Sequence, residues 1–181
     1  MKKIIIFFGM PKSGKKTHSK MLSEKLGYKY FNVENVIVNE ISNKTKMGLI
    51  FEKYQNGDIA IPDEYFILLM RDLIINLKED GVVFCGFPKN IAQAKALDFF
   101  LFNKNIKSPV SIFLKAELTV LFGRCGEQGQ NFFRNQMNEY ERKTKPLLFY
   151  YSSKMFEFDT SKDDVNQVNK EILKHCFDNI D

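Results

Sequence analysis

The chain has 181 residues, 44% hydrophobic and 27% charged, with a formal net charge of +5. That apolar content suits one globular domain with a sizeable core and argues against a disordered chain. The small positive excess fits a phosphate ligand, an acidic protein surface or nucleic acid, and selects none of them.

In chain order, Ile4 to Phe8 is a short β-branched and aromatic run, as a strand buried on both faces should be. Gly9 to Thr17 follows, and then a segment with Met21, Leu22 and Leu26 on one helical face and Gly27 as its stop. Tyr28 to Phe31 reads as a second strand. Val33 to Ile41 and Met47 to Tyr54 read as helices, and Asn56-Gly57-Asp58 as a turn. Pro62-Asp63-Glu64 opens a helix whose inner face is Phe66, Leu69, Met70, Leu73 and Leu77. Val82 to Cys85 is a third strand. Asn90 caps a helix carrying Ile91, Ala94, Leu97 and Leu101, and Val110 to Leu114 is a fourth strand. Glu117 to Arg124 returns to helix, and Asn131 to Lys143 is a further helix that Pro146 stops or kinks. Met155 to Phe158 is a fifth strand. Ser161 and Asp164 form a capping-box-like start to a last helix lined by Val165, Val168, Ile172 and Cys176. Alternating strands and helices imply one α/β domain, 1–181, with a parallel sheet.

The chemistry centres on Gly9-Met10-Pro11-Lys12-Ser13-Gly14-Lys15-Lys16-Thr17. A strand, a glycine-containing loop and a helix start together form an anion site. Backbone N–H groups converge there, the helix dipole favours negative charge, and Lys15 adds a mobile cation. The strict pattern G-x-x-x-x-G-K-[ST] fails, because Lys16 holds the hydroxyl position and Thr17 follows one later. Lys12 is tolerable at negative φ and costly at positive φ.

Cys85, Cys125 and Cys176 form no C-x-x-C pair and read as free thiols of a reducing compartment. Met1-Lys2-Lys3 and the apolar residues after it break at Pro11 and Lys12 without a cleavage site, so the expectation is a cytoplasmic protein. No membrane or nucleic-acid partner is expected. His18 and His175 have no metal-ligand spacing and are expected at the surface.

Four blocks together resemble adenylate kinase and its nucleoside-monophosphate kinase relatives over essentially the full length. Gly9 to His18 resembles G-x-P-G-x-G-K-G-T-Q, and Gly57 to Glu64 resembles G-x-x-V-P-D-E. Gly86-Phe87-Pro88-Lys89 with Gln93-Ala94 resembles D-G-F-P-R…Q-A, and Thr144 to Tyr151 resembles T-x-P-x-x-x-Y-Y. The resemblance implies a P-loop kinase-type fold with a five-stranded parallel sheet of order 2-3-1-4-5. It also implies a remnant monophosphate-binding subdomain at 32–61 and a truncated lid at 123–131. Gly9, Pro11, Lys12, Ser13, Gly14, Lys15, Lys16 and Thr17 would bind the nucleotide, and Gln93 is the remnant of the acceptor site.

The same resemblance exposes losses. Phosphoryl transfer is mostly positioning and charge neutralisation, and the family does it with arginines. Here the arginines are Arg71, Arg124, Arg134 and Arg142. The family's T-G-D-x-x-R reads Val33-Glu34-Asn35-Val36-Ile37-Val38, its strand-end aspartate is Cys85, and the arginine after F-P is Lys89. A further family arginine falls near Gln136. Arg124 matches a lid-border arginine.

The expectation is an adenylate-kinase-like protein that has lost most phosphotransfer activity and acts as a structural or protein-binding component. ATP or ADP would sit at the loop, with magnesium disfavoured and no metal site. One alternative is an active adenylate or nucleoside-monophosphate kinase with Lys15, Lys89 and Arg124 catalytic. Another is a non-catalytic nucleotide sensor. Phe132 and Phe133 beside the lid, with Phe100 of the phenylalanine-rich helix, would face a protein partner in a cytosolic, cytoskeletal or ciliary assembly.

Overall fold

The computed structural model describes residues 2–126, 130–161 and 164–179. Strands β1 (Lys3–Gly9), β2 (Lys29–Asn32), β3 (Gly81–Cys85), β4 (Val110–Lys115) and β5 (Met155–Asp159) form one sheet of order β2-β3-β1-β4-β5. All four pairings are parallel. β1 and β3 are central and almost continuously buried, which is why they carry unbroken apolar runs.

The helices are α1 (Lys15–Leu26), α2 (Val33–Ser42), α3 (Lys46–Asn56), α4 (Asp63–Ile75), α5 (Ile91–Asn103), α6 (Leu118–Gly123), α7 (Gln130–Glu139), α8 (Lys145–Tyr150) and α9 (Val165–Asn179). One face of the sheet packs Ile4, Ile6, Phe8, Val82 and Phe84 against α4, α5 and α8. The other packs Ile5, Phe7 and Val83 against Leu22 of α1 and Val168 and Ile172 of α9. The α4 inner face is Phe66, Met70 and Ile74, with Leu69 and Leu73 only partly covered.

Several termini follow local chemistry. Asn32, Thr45 and Asn90 cap α2, α3 and α5, their side chains accepting from the N–H groups of Asn35, Gly48 and Gln93. The expected Ser161 cap is not the one used. Asp164 Oδ1 accepts from the N–H groups of Asn166 and Gln167 at 2.9 and 3.1 Å, while Ser161 Oγ accepts from Glu117 N–H. Nor does Pro146 end a helix. α7 passes through a π-helical turn at Tyr140–Thr144 into α8, where Pro146 sits in the first turn and needs no N–H donor. The Tyr-Tyr pair after it is structural: Tyr150 and Tyr151 donate to Asp98 at 2.8 and 3.3 Å and lock α8 onto α5.

The phenylalanine-rich helix divides as its length of apolar sequence requires. Phe100 and Leu101 are buried, whereas Phe99 and Phe102 are 71% and 79% exposed. Phe100 also lies under the Arg71 guanidinium at 5.5 Å, so it is not available to a partner. Phe133 is 1% exposed and packs edge-on against Phe122 with centroids 4.9 Å apart. The expected partner-facing surface therefore loses Phe133 to the domain's own core. The Phe132 side chain, and residues 127–129 of the lid, lie outside the described residues.

Candidate functional site

The loop between β1 and α1 sits at the carboxyl end of the sheet, where open α/β folds bind ligands. Gly9 leaves the strand at φ 150°, and a Cβ there would lie 2.5 Å from both Leu114 O and Ser13 Oγ. The turn closes when Ser13 N–H donates to Met10 O at 3.2 Å, and Gly14, at φ 87°, caps α1. Lys12 occupies φ 65°, the conformation in which a side chain is costly. The left-handed region costs a non-glycine residue about 1–2 kcal/mol. Lys12→Gly is therefore expected to stabilise the chain, by up to about 1 kcal/mol after the extra entropy of glycine in the unfolded state. A higher urea midpoint at unchanged slope would register it.

Two groups hold that strained loop from the far side. Arg124 donates from Nη1 to Lys12 O at 3.2 Å and from Nη2 to Thr160 O. Thr160 Oγ1 lies 3.1 Å from Ser13 O, to which it donates. Arg124, Thr160, the loop, and Val165 and Val168 of α9 together line a cavity of about 310 Å³. Lys12, Arg124 and the loop bring positive charge and backbone amides to it, and Val165 and Val168 an apolar patch. His18 also lines it, and contrary to expectation is only 2% exposed. Its ring faces Gly14, its carbonyl accepts from Asn169 Nδ2, and burial with Arg124 nearby depresses its pKa. The other histidine, His175, is half-buried with its centroid 3.9 Å from that of Phe156. Helical spacing alone does not mark either position as covered.

Lys15 donates from Nζ to Met10 O at 2.8 Å, folded back over the loop. Burial pulls its pKa from 10.5 to about 8, an effect only partly opposed by negative charge nearby. Lys16, which disfavours a helix N-terminus, has found a counter-ion: Glu34 Oε2 of α2 lies 2.6 Å from its Nζ. Burial pushes Glu34 up, but the Lys16 hydrogen bond and the charges of Lys16, Lys89 and Lys15 together hold it below the usual carboxylate range.

The acceptor side is built differently. Val33 is buried in the core, and a Cβ on Gly86 would meet its Cγ1 at 3.0 Å. Val38 is 58% exposed and Cys85 2% exposed. Lys89 lies 5.7 Å from the Phe66 ring centroid; burial lowers its pKa, with Glu34 opposing. Gln93 is buried, and both ends of its side-chain amide are hydrogen-bonded within the protein. Its Oε1 accepts from Lys89 N–H at 2.8 Å and its Nε2 donates to Asp63 Oδ1 at 2.6 Å, while Asn90 Nδ2 also donates to Asp63. Gln93 thus ties the backbone of Lys89 to Asp63. Asp63 as the hub of this network was not foreseen, although the P-D-E block placed it at a helix start. Arg142 is paired with Glu139 at 2.6 Å, and Arg134 is exposed.

Magnesium is a poor fit to these residues. Cys85 offers a soft thiol where a hard carboxylate would be required, and Lys16 an ammonium at the hydroxyl position. Among the described residues no group of three His, Cys, Asp or Glu side chains converges to hold a metal, and no helix is long and apolar enough to cross a membrane.

A parallel sheet, a phosphate loop at its carboxyl end and a base-sized cavity beside that loop define a P-loop nucleotide-binding domain. The adenylate kinase family profile matches residues 7–156. An adenylate kinase of Flavobacterium psychrophilum is 31% identical over 160 residues, covering 82% of this chain and 84% of that protein. That of Bacteroides thetaiotaomicron is 32% identical over 159 residues, with 82% and 84% covered. One from Borrelia garinii is 28% identical over 207 aligned positions, with 94% and 96% covered. The chain belongs to the adenylate kinase family.

Proposed function

We propose that this chain binds ATP or ADP at the loop and transfers the terminal phosphoryl group of ATP to a nucleoside monophosphate slowly, through lysines. The observation that carries this is the contrast between the two sides. The donor cavity is lined by Gly14, Thr17 and Arg124 with Val165 and Val168, and Lys15 follows Gly14 at the start of α1. The acceptor side has Val33, Val38 and Cys85, with Lys16 and Lys89 as its nearby cations. Losing one preorganised phosphate donor costs about 2.7–4 kcal/mol of transition-state stabilisation, and an ammonium restores the charge without the bidentate fork.

A coupled assay of ATP + AMP to ADP, run beside nucleotide-induced thermal shift, is the test. Turnover well below the ~1–100 s⁻¹ of kinases, with a clear stabilisation by ATP, is the expected result. Turnover inside that range would mean the lysines replace the arginines fully. A second reading, a nucleotide-binding protein without turnover that docks to another protein, draws on the exposed rings Phe99, Phe102 and Phe149, the last 88% exposed. Stabilisation by ATP with no ADP formed at any enzyme concentration would select it.

A further inference from the structure

A second cavity, of about 520 Å³, opens at the opposite end of the sheet. It lies between the N-terminal ends of β1, β4 and β5, so the length of the sheet separates it from the phosphate loop. Lys2, Lys3, Lys107 and Lys154 line it together with Ser108 and Ser153, and among the described residues that line it there is no carboxylate. Its floor is apolar: Ile106, Val110 and Phe156 contribute, and Phe156 is backed by the His175 ring.

Lysines gathered around one concavity raise the local positive potential and favour an anion there. The fold offsets part of this. Lys2 Nζ donates to Glu79 O at 2.5 Å, and the charge of Lys154 acts on Asp98, whose carboxylate is held by Tyr150 and Tyr151. Lys107 and Lys154 remain exposed at the mouth. Nothing in phosphoryl transfer at the loop uses these residues. We propose that this cavity is a binding site for a small organic phosphate. Its phosphoryl group would sit on the lysines and serine hydroxyls, and its apolar or planar body on Ile106, Val110 and Phe156. The volume falls in the range of pockets that enclose a drug-sized ligand, about 300–1,000 Å³.

The test uses phenyl phosphate as probe and the full chain carrying Lys15→Ala, so that the loop does not compete. Calorimetric titration is expected to show one site that weakens at least tenfold when Lys107→Ala and Lys154→Ala are added. Both side chains are exposed, and an unchanged melting temperature for that variant keeps the comparison fair. Phenol is expected not to bind, and inorganic phosphate to bind several-fold more weakly than phenyl phosphate. Equal affinity for inorganic phosphate would overturn the assignment to an organic ligand. Absence of binding at millimolar probe, or binding indifferent to Lys107 and Lys154, would overturn the site.

Discussion

Replacing Lys15 with alanine is expected to abolish stabilisation by ATP and to cut any turnover by at least ~10²-fold, the cost of removing one preorganised phosphate donor. The Lys15 ammonium is drawn in over the loop against Met10 O and supplies the cation at the helix start. The same residue sets a pH dependence. Only the protonated amine attracts phosphate, and burial lowers its pKa from the ordinary 10.5 to about 8. Stabilisation by ATP should therefore be full near pH 7 and fade as pH rises past 8. The nucleotide-free chain moves the other way at this group. Between about pH 8 and 10.5 the unfolded chain holds the proton that the folded chain has released, so unfolding free energy rises with pH across that window. Thermal shift with and without ATP at pH 7, 8 and 9.5 reads both trends. An ATP shift that survives Lys15→Ala would place the nucleotide elsewhere.

Restoring guanidinium groups to the acceptor side should work in the opposite sense. Val38→Arg combined with Lys89→Arg is expected to raise kcat/KM for the monophosphate by ~10²-fold or more, since one such donor is worth about 10²–10³. Val38 is 58% exposed, so a longer side chain meets no packing penalty there. Lys89 already rests against the Phe66 ring, a surface on which a planar guanidinium stacks well. Val38→Leu with Lys89 unchanged is the control and should leave the rate alone. If the double variant binds ATP normally and gains nothing, the loss of acceptor arginines is not what limits transfer.

Much of this molecule was legible in its residues, for identifiable reasons. The strands, the loop and the caps at Asn90 and Gly27 follow from patterns only a few residues long, whereas the strand order was legible only through the resemblance to adenylate kinases. What escaped was decided by tertiary contact. Lys12 takes a positive φ because Gly14, Arg124 and Thr160 fix the loop around it, which no one-dimensional pattern records. Phe133 reads like a surface ring next to polar residues, yet Leu121 and Phe122 of a different helix supply its pocket. His18 is covered by α9, more than a hundred residues away along the chain. Pro146 reads as a stop or a kink, and the chain instead runs from α7 through a π-helical turn into α8.

The ion pair between Lys16 and Glu34 joins the two sides of the site. Lys16 is anchored at the start of α1 and Glu34 in the first turn of α2, so their contact works as a clasp between the loop and the subdomain that would receive the acceptor. Both side chains remain mostly in water, at 64% and 59% exposed, so the clasp opens readily and weakens as ionic strength rises. An incoming phosphate would compete with Glu34 for the same ammonium. Docking of the anion and release of the clasp would then be a single exchange of partners, and the freedom of α2 to swing would depend on which anion holds Lys16.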